Sequence, residues 1–112
     1  MKLVSGITNQ PKQQMTLVLD EGSSVFITLN YYPQQIGWFM DVRWQTWVVL
    51  GLRVTTSPNI LRQWKNVIPF GLAVSGKNEV EPLNPDDFVD GTISVYVLQG
   101  EDLTSIEEAA FA

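Results

Sequence analysis

The stretch from Ser24 to Thr55 constrains the fold more than any other part of the chain. It holds three of the four tryptophans and most of the β-branched residues. Val25, Ile27, Leu29 and Tyr31 alternate with Phe26, Thr28, Asn30 and Tyr32. Successive strand side chains point to opposite faces, so this pattern predicts a strand with one strongly apolar face. Pro33 to Gly37 then breaks the run, because proline fixes φ and lacks an N–H while glycine tolerates unusual φ. Trp38, Met40, Val42 and Trp44 alternate with Phe39, Asp41 and Arg43, a second strand whose other face is partly wet. Val48, Leu50, Leu52 and Val54 alternate with Val49, Gly51 and Arg53, a third. The link Trp44-Gln45-Thr46-Trp47 is short enough for a hairpin, though it lacks the Asn-Gly or Gly signal of the tightest turns. A helical reading of 38–54 buries no clean stripe, and its β-branched and aromatic residues favour strand.

The flanks extend the same pattern. Residues 1–14 are polar and read as an N-terminal arm, with a little extended structure at Leu3 and Val4. Met15, Leu17 and Leu19 predict a first strand, and Asp20 to Ser23 supplies a turn, so this strand and 25–32 make a hairpin. Ser57 and Pro58 suit a helix start, and Ile60, Leu61 and Trp64 share one side of a short helical turn near Asn59–Lys65. Residues 69–75 and 92–98 read as further strands, separated by a long acidic loop. Leu103, Ile106, Ala109 and Ala110 fall at mostly helical spacing in a C-terminal tail. The expectation is an all-β domain over residues 15–99, flanked by the arm 1–14 and the tail 100–112. It is a small barrel or two-sheet sandwich of about six strands with one short helical turn. The expected core is Leu17, Val25 or Phe26, Ile27, Leu29, Met40, Val42, Leu50, Leu52, Ile93 and Val95.

Composition narrows the function by exclusion. The 112 residues amount to one domain. A net charge of −5 without a basic stripe argues against specific nucleic-acid binding and against an anionic membrane. The absence of cysteine removes disulfides and thiolate metal sites, and the absence of histidine removes the commonest general base. No segment has the length of a membrane helix, and residues 1–11 lack the apolar stretch of a signal peptide. The simplest expectation is a protein made in the cytoplasm that stays soluble or joins an assembly.

Several side-chain groups invite a chemical reading. Asp86, Asp87 and Asp90, with Glu79 and Glu81, resemble a calcium loop, but the spacing of an EF-hand is absent and a solvated acidic loop explains them better. Asp20 and Glu21 with those carboxylates suggest a glycosidase pair, yet a turn accounts for Asp20 and Glu21. Arg43 and Arg53 read as cross-strand partners of Asp41. No catalytic residue, metal ligand or cofactor site is assigned. The aromatic residues carry the remaining possibility, because both faces of 25–32 and of 38–42 hold more apolar bulk than one small core needs. One face is therefore expected to lie under a partner chain. The expected interface residues are Tyr31, Tyr32, Trp38, Trp44, Trp47, Trp64, Leu103, Ile106 and Phe111. The tail, with Glu107 and Glu108 toward solvent, is expected to dock on a neighbour. The competing reading is a soluble carbohydrate- or peptide-binding β-module that uses surface tryptophans.

The order of motifs, WFMDVR, GLRVTTSPNILRQW, a Pro-Phe-Gly-Leu strand and DGTISVYVL, resembles the baseplate plug family of contractile-tailed bacteriophages. Trp38, Phe39, Asp41, Gly51, Leu52, Val54, Leu61, Gly71, Leu72, Gly91 and Thr92 carry the resemblance, which spans roughly residues 14 to 99. It implies a virion structural protein at the centre of the tail baseplate, without catalysis. Such a protein sits with hub and spike proteins at the tip of the tail tube, and symmetric copies narrow or close the lumen until infection. Threefold symmetry is the leading expectation and sixfold the alternative.

Overall fold

A computed structural model describes residues 2–111, except that the side chains of Glu79 and Phe111 lie outside the described residues. Seven strands form two sheets that face each other across one core. They are β1 (Lys2–Leu3), β2 (Lys12–Val18), β3 (Ser24–Tyr32), β4 (Gly37–Trp44), β5 (Trp47–Arg53), β6 (Phe70–Gly76) and β7 (Ile93–Gln99). The larger sheet is an antiparallel meander in the order β2-β3-β4-β5, and the smaller one runs β1-β7-β6. The two sheets do not close into a barrel, so the sandwich alternative is the one adopted.

The alternation in Ser24–Thr55 places its inward residues as the period of two requires. Val25, Ile27, Leu29, Trp38, Met40 and Val42 are fully buried, and Leu72, Val74, Ile93, Val95 and Val97 meet them from the smaller sheet. Within β3–β4 the register pairs Val25 with Trp44, Ile27 with Val42 and Leu29 with Met40. The link between β4 and β5 is a two-residue turn in which Gln45 adopts φ 52°, the left-handed conformation that glycine or asparagine takes more readily.

Three expectations are corrected. Leu50 is 73% exposed and outside the core. The ladder slips by one residue between Met40 and Val42, so Val42 faces Val49 while Met40 faces Leu52. This β-bulge turns Val49 and Leu52 inward and Leu50 outward. Phe26, the offered alternative to Val25, likewise points outward, and Val25 is the buried one. The N-terminal residues do more than form an arm: β2 starts at Lys12, β1 pairs with β7, and Val4 is buried with its N–H bonded to the Val95 carbonyl.

After β5 the chain crosses to the smaller sheet. Ser57 exchanges backbone hydrogen bonds with Val74, and the Ile60 N–H reaches the Leu72 carbonyl, which covers the free edge of β6. Asn59 is buried at this crossing, and its side-chain oxygen accepts the N–H groups of Leu61 and Leu72. A 3-10 turn at Arg62–Trp64 follows. It lies inside the helical turn expected from the sequence and is shorter. A second helical segment, Glu101–Ile106 as α-helix (α1) continued in wider turns through Glu107–Phe111, follows β7.

Candidate interaction surface

The tryptophans are spent on the ends of the sandwich. Trp38 is 0% exposed, packs edge-on against Tyr31 and Phe88 at 5.3 Å each, and donates its ring N–H to the Asn84 carbonyl at 3.2 Å. Tyr31 is half-buried and donates its hydroxyl to the Leu83 carbonyl at 2.8 Å. These contacts seal one end of the β3–β4 hairpin with the acidic loop. At the opposite end, Trp44 and Trp47 stand edge-on to Phe70 at 6.3 and 6.2 Å, and Trp64 closes on Trp47 at 5.5 Å. Trp44 also donates its ring N–H to the Ser23 hydroxyl. Aromatic pairs prefer such edge-to-face geometry, so both groups are cohesive within one chain. Trp38 therefore belongs to the domain's own core, while Trp44, Trp47 and Trp64 are half-buried in its end cluster. Tyr32 is exposed beside Phe39, with ring centres 5.3 Å apart.

The apolar surface lies elsewhere, on the outer face of the larger sheet. Two rows cross it by register: Thr16, Phe26, Arg43 and Val48, then Gln14, Thr28, Asp41 and the bulged Leu50. Val18 is 61% exposed, Val48 49% and Phe26 42%. The same face holds a shallow depression of about 360 Å³ whose walls include Phe26, Asp41, Arg43, Val48 and Leu50. Arg43 does not pair with Asp41 as the sequence suggested. Its guanidinium lies over the Phe26 ring at 4.7 Å, and Arg53 lies over Phe39 at 5.4 Å while donating to the Ile36 carbonyl. Asp41 instead accepts the Gly51 N–H at 2.8 Å.

The acidic loop uses its carboxylates internally. Glu81 accepts both the N–H and the hydroxyl of Thr56. Asp87 is buried and accepts the Asn84 N–H, and Asp86 accepts from the Asn9 side chain. Hydrogen bonds from Thr92 hold the Asp90 carboxyl below its ordinary value of 3.8. Among the described residues no cluster of three or more carboxylates is placed to hold a metal ion.

The tail rests on its own domain. Glu107 does not face solvent as expected: Arg62 grips it with two N–H groups at 3.0 and 3.2 Å, and Lys65 approaches at 3.5 Å. Leu103 and Ile106 are half-buried, and Ile106 borders an open groove with Pro58, Ala73, Val74 and Tyr96. The Phe111 side chain lies outside the described residues.

A sheet face with exposed apolar residues, ends sealed by aromatic clusters and loop carboxylates engaged in hydrogen bonds together define a small β-sandwich domain. The chain belongs to the family described as cyanophage baseplate Pam3 plug gp18, whose profile matches residues 1–101. It is thus a structural component of the phage tail baseplate. No curated protein matches the chain. No helix of the described residues is long and apolar enough to cross a membrane.

The sequence signal for this surface was partial. Excess apolar residues on both faces of β3 pointed to exposed apolar residues on the sheet, as Phe26 shows. The exposed members on β5 were hidden, because strict alternation puts Leu50 inside.

Proposed function

We propose that the chain plugs the tip of the tail tube in a contractile-tailed phage, held there by hub and spike proteins and by copies of itself. The apolar outer face of the β2–β5 sheet carries this reading. Val18, Phe26, Val48 and Leu50 lie together on one face, and a stable assembly gains free energy by removing such a surface from water. Tyr32 extends the patch toward the β3–β4 turn. Arg43 sits among them with its charge over a ring, ready to meet an acceptor on a partner. Copies related by threefold symmetry fit a plug on the axis of a tube, and sixfold symmetry is the alternative. The role needs no catalysis.

The rival carbohydrate- or peptide-binding reading needs open tryptophan faces. Trp38 is buried and the other three rings abut one another or Phe70, which favours the plug. The deciding measurement is the composition of purified tail tips by mass spectrometry, together with light-scattering mass of the isolated chain. Co-purification with hub and spike proteins and a trimeric mass are expected. Absence from tail tips, with a monomer persisting at high concentration, would end the proposal.

A further inference from the structure

The tail and the surface beneath it are matched in charge. Residues 101–112 hold Glu101, Asp102, Glu107 and Glu108 and no basic residue. The surface they meet presents Arg62 and Lys65, two of only seven cations in the chain. Ile106, one residue before Glu107, adjoins an open groove of about 870 Å³ lined by Ala73, Val74 and Ser75 of β6 and by Pro58 and Tyr96. Ile106 reaches only its border, half-buried. The groove is therefore larger than the one apolar side chain the tail lends it.

The attachment within one chain includes the Glu107 ion pairs, the Gln99 N–H donated to the Asp102 carboxylate, the half-buried Leu103 and Ile106, and packing of α1 against the end of β7. A helical segment this short does not persist in water without a surface. Its root is Gly100, exposed, at φ 54° and ψ −117°, a conformation open to glycine and little else. A different pair of angles at this one residue re-aims the whole segment without disturbing β7.

We propose that the tail is exchanged between copies: Glu101–Ile106 and the turns after it leave their own domain and seat on the Arg62 and Lys65 surface and adjoining groove of a second copy. The occupant is argued from complementarity. The chain's own acidic tail occupies this surface, and a second copy supplies the same carboxylates to the same cations. Exchange keeps every contact of the closed form and links the copies as well. The inference rests on the self-association proposed above and adds the contact that locks it.

Because the chain has no cysteine, introduced thiols are unique. One tagged chain carries Gln63→Cys, at an exposed position next to Arg62, and a second, differently tagged, carries Glu108→Cys, leaving the Arg62 and Lys65 pairs with Glu107 intact in both. The two are co-expressed, treated with a short bismaleimide and separated on a denaturing gel. A chain carrying both substitutions, digested and read by mass spectrometry, reports linkage within one copy. Exchange predicts a cross-linked heterodimer as the main product, and at least a severalfold loss of it at about 1 M salt, where exposed ion pairs are screened. An assembly of the correct mass that yields linkage only within single chains overturns exchange and leaves self-association standing. A chain that stays monomeric by light scattering overturns both.

Discussion

The Asp41 carboxylate accepts the Gly51 N–H at 2.8 Å, across the one place where β4 and β5 fall out of step. Gly51 stands there at φ 68°, and a β-carbon built on it meets nothing within 4 Å. Room is therefore not the constraint; backbone conformation is. Gly51→Ala should destabilise the domain by about 1–2 kcal/mol, the cost of the left-handed region for a residue with a β-carbon. A urea midpoint at unchanged slope measures it. No shift would mean that the bulge relocates, and the outward position of Leu50 would then be in doubt.

Leu50 gives the sharpest contrast between stability and assembly. At 73% exposure, its truncation to alanine should change folding stability by less than about 0.5 kcal/mol. Leu29→Ala, at a fully buried site of the same sheet, should cost about 2–5 kcal/mol. Leu50→Asp should leave the melting temperature nearly unchanged and weaken association in light scattering. Equal destabilisation by the Leu29 and Leu50 truncations would place the bulge wrongly.

The contrast also shows what the sequence carried. Period-two alternation placed Ile27, Leu29, Met40 and Val42 correctly and left Val25 and Phe26 as alternatives, and β3 and β4 pair without interruption. It misplaced Leu50, because a single inserted residue inverts every side chain beyond it and leaves no mark in composition. Gly51 was the visible hint, since glycine within a strand often marks a bulge. β1 showed only as a little extended structure at Leu3 and Val4, because two residues carry no period. Its reality comes from pairing with β7, ninety-odd residues away in sequence. Glu107 was read as solvent-facing because its partner, Arg62, lies on another element. The aromatic residues were legible as bulk but not as place: only tertiary packing assigns Trp38 to the core and Phe26 to the surface.

The crossing between sheets depends on one amide. Asn59 accepts the N–H groups of Leu61 and Leu72 through a single oxygen, and Gly71 lets it approach so closely that a β-carbon there would stand 2.6 Å from the amide nitrogen. Asn59→Ala leaves two buried donors unpaired and should cost about 2–4 kcal/mol. Gly71→Ala displaces the same side chain and should cost a comparable amount. Because the two share one contact, the double variant should be less destabilised than the sum of the singles. Strict additivity in denaturant unfolding would show that Asn59 and Gly71 act separately.

Acid should loosen the tail before it unfolds the domain. The hydrogen bonds from Arg62 are the main cause that holds the Glu107 carboxyl below its ordinary value of 4.5, with burial opposing and the charges of Arg62 and Lys65 assisting. A carboxyl whose value is lowered in the docked form favours docking most when ionised. That contribution is complete above about pH 4.5 and disappears as pH falls through the lowered docked value. Among the described residues, Asp87 in the loop is the one buried charged side chain. A carboxyl-carbon NMR titration should therefore show Glu107 titrating below its ordinary value of 4.5. Arg62→Met should return Glu107 toward 4.5 while the amide spectrum of β3 and β4 stays unchanged. If Glu107 titrates identically in both proteins, the ion pair does not hold the tail, and Leu103 and Ile106 would have to do so alone.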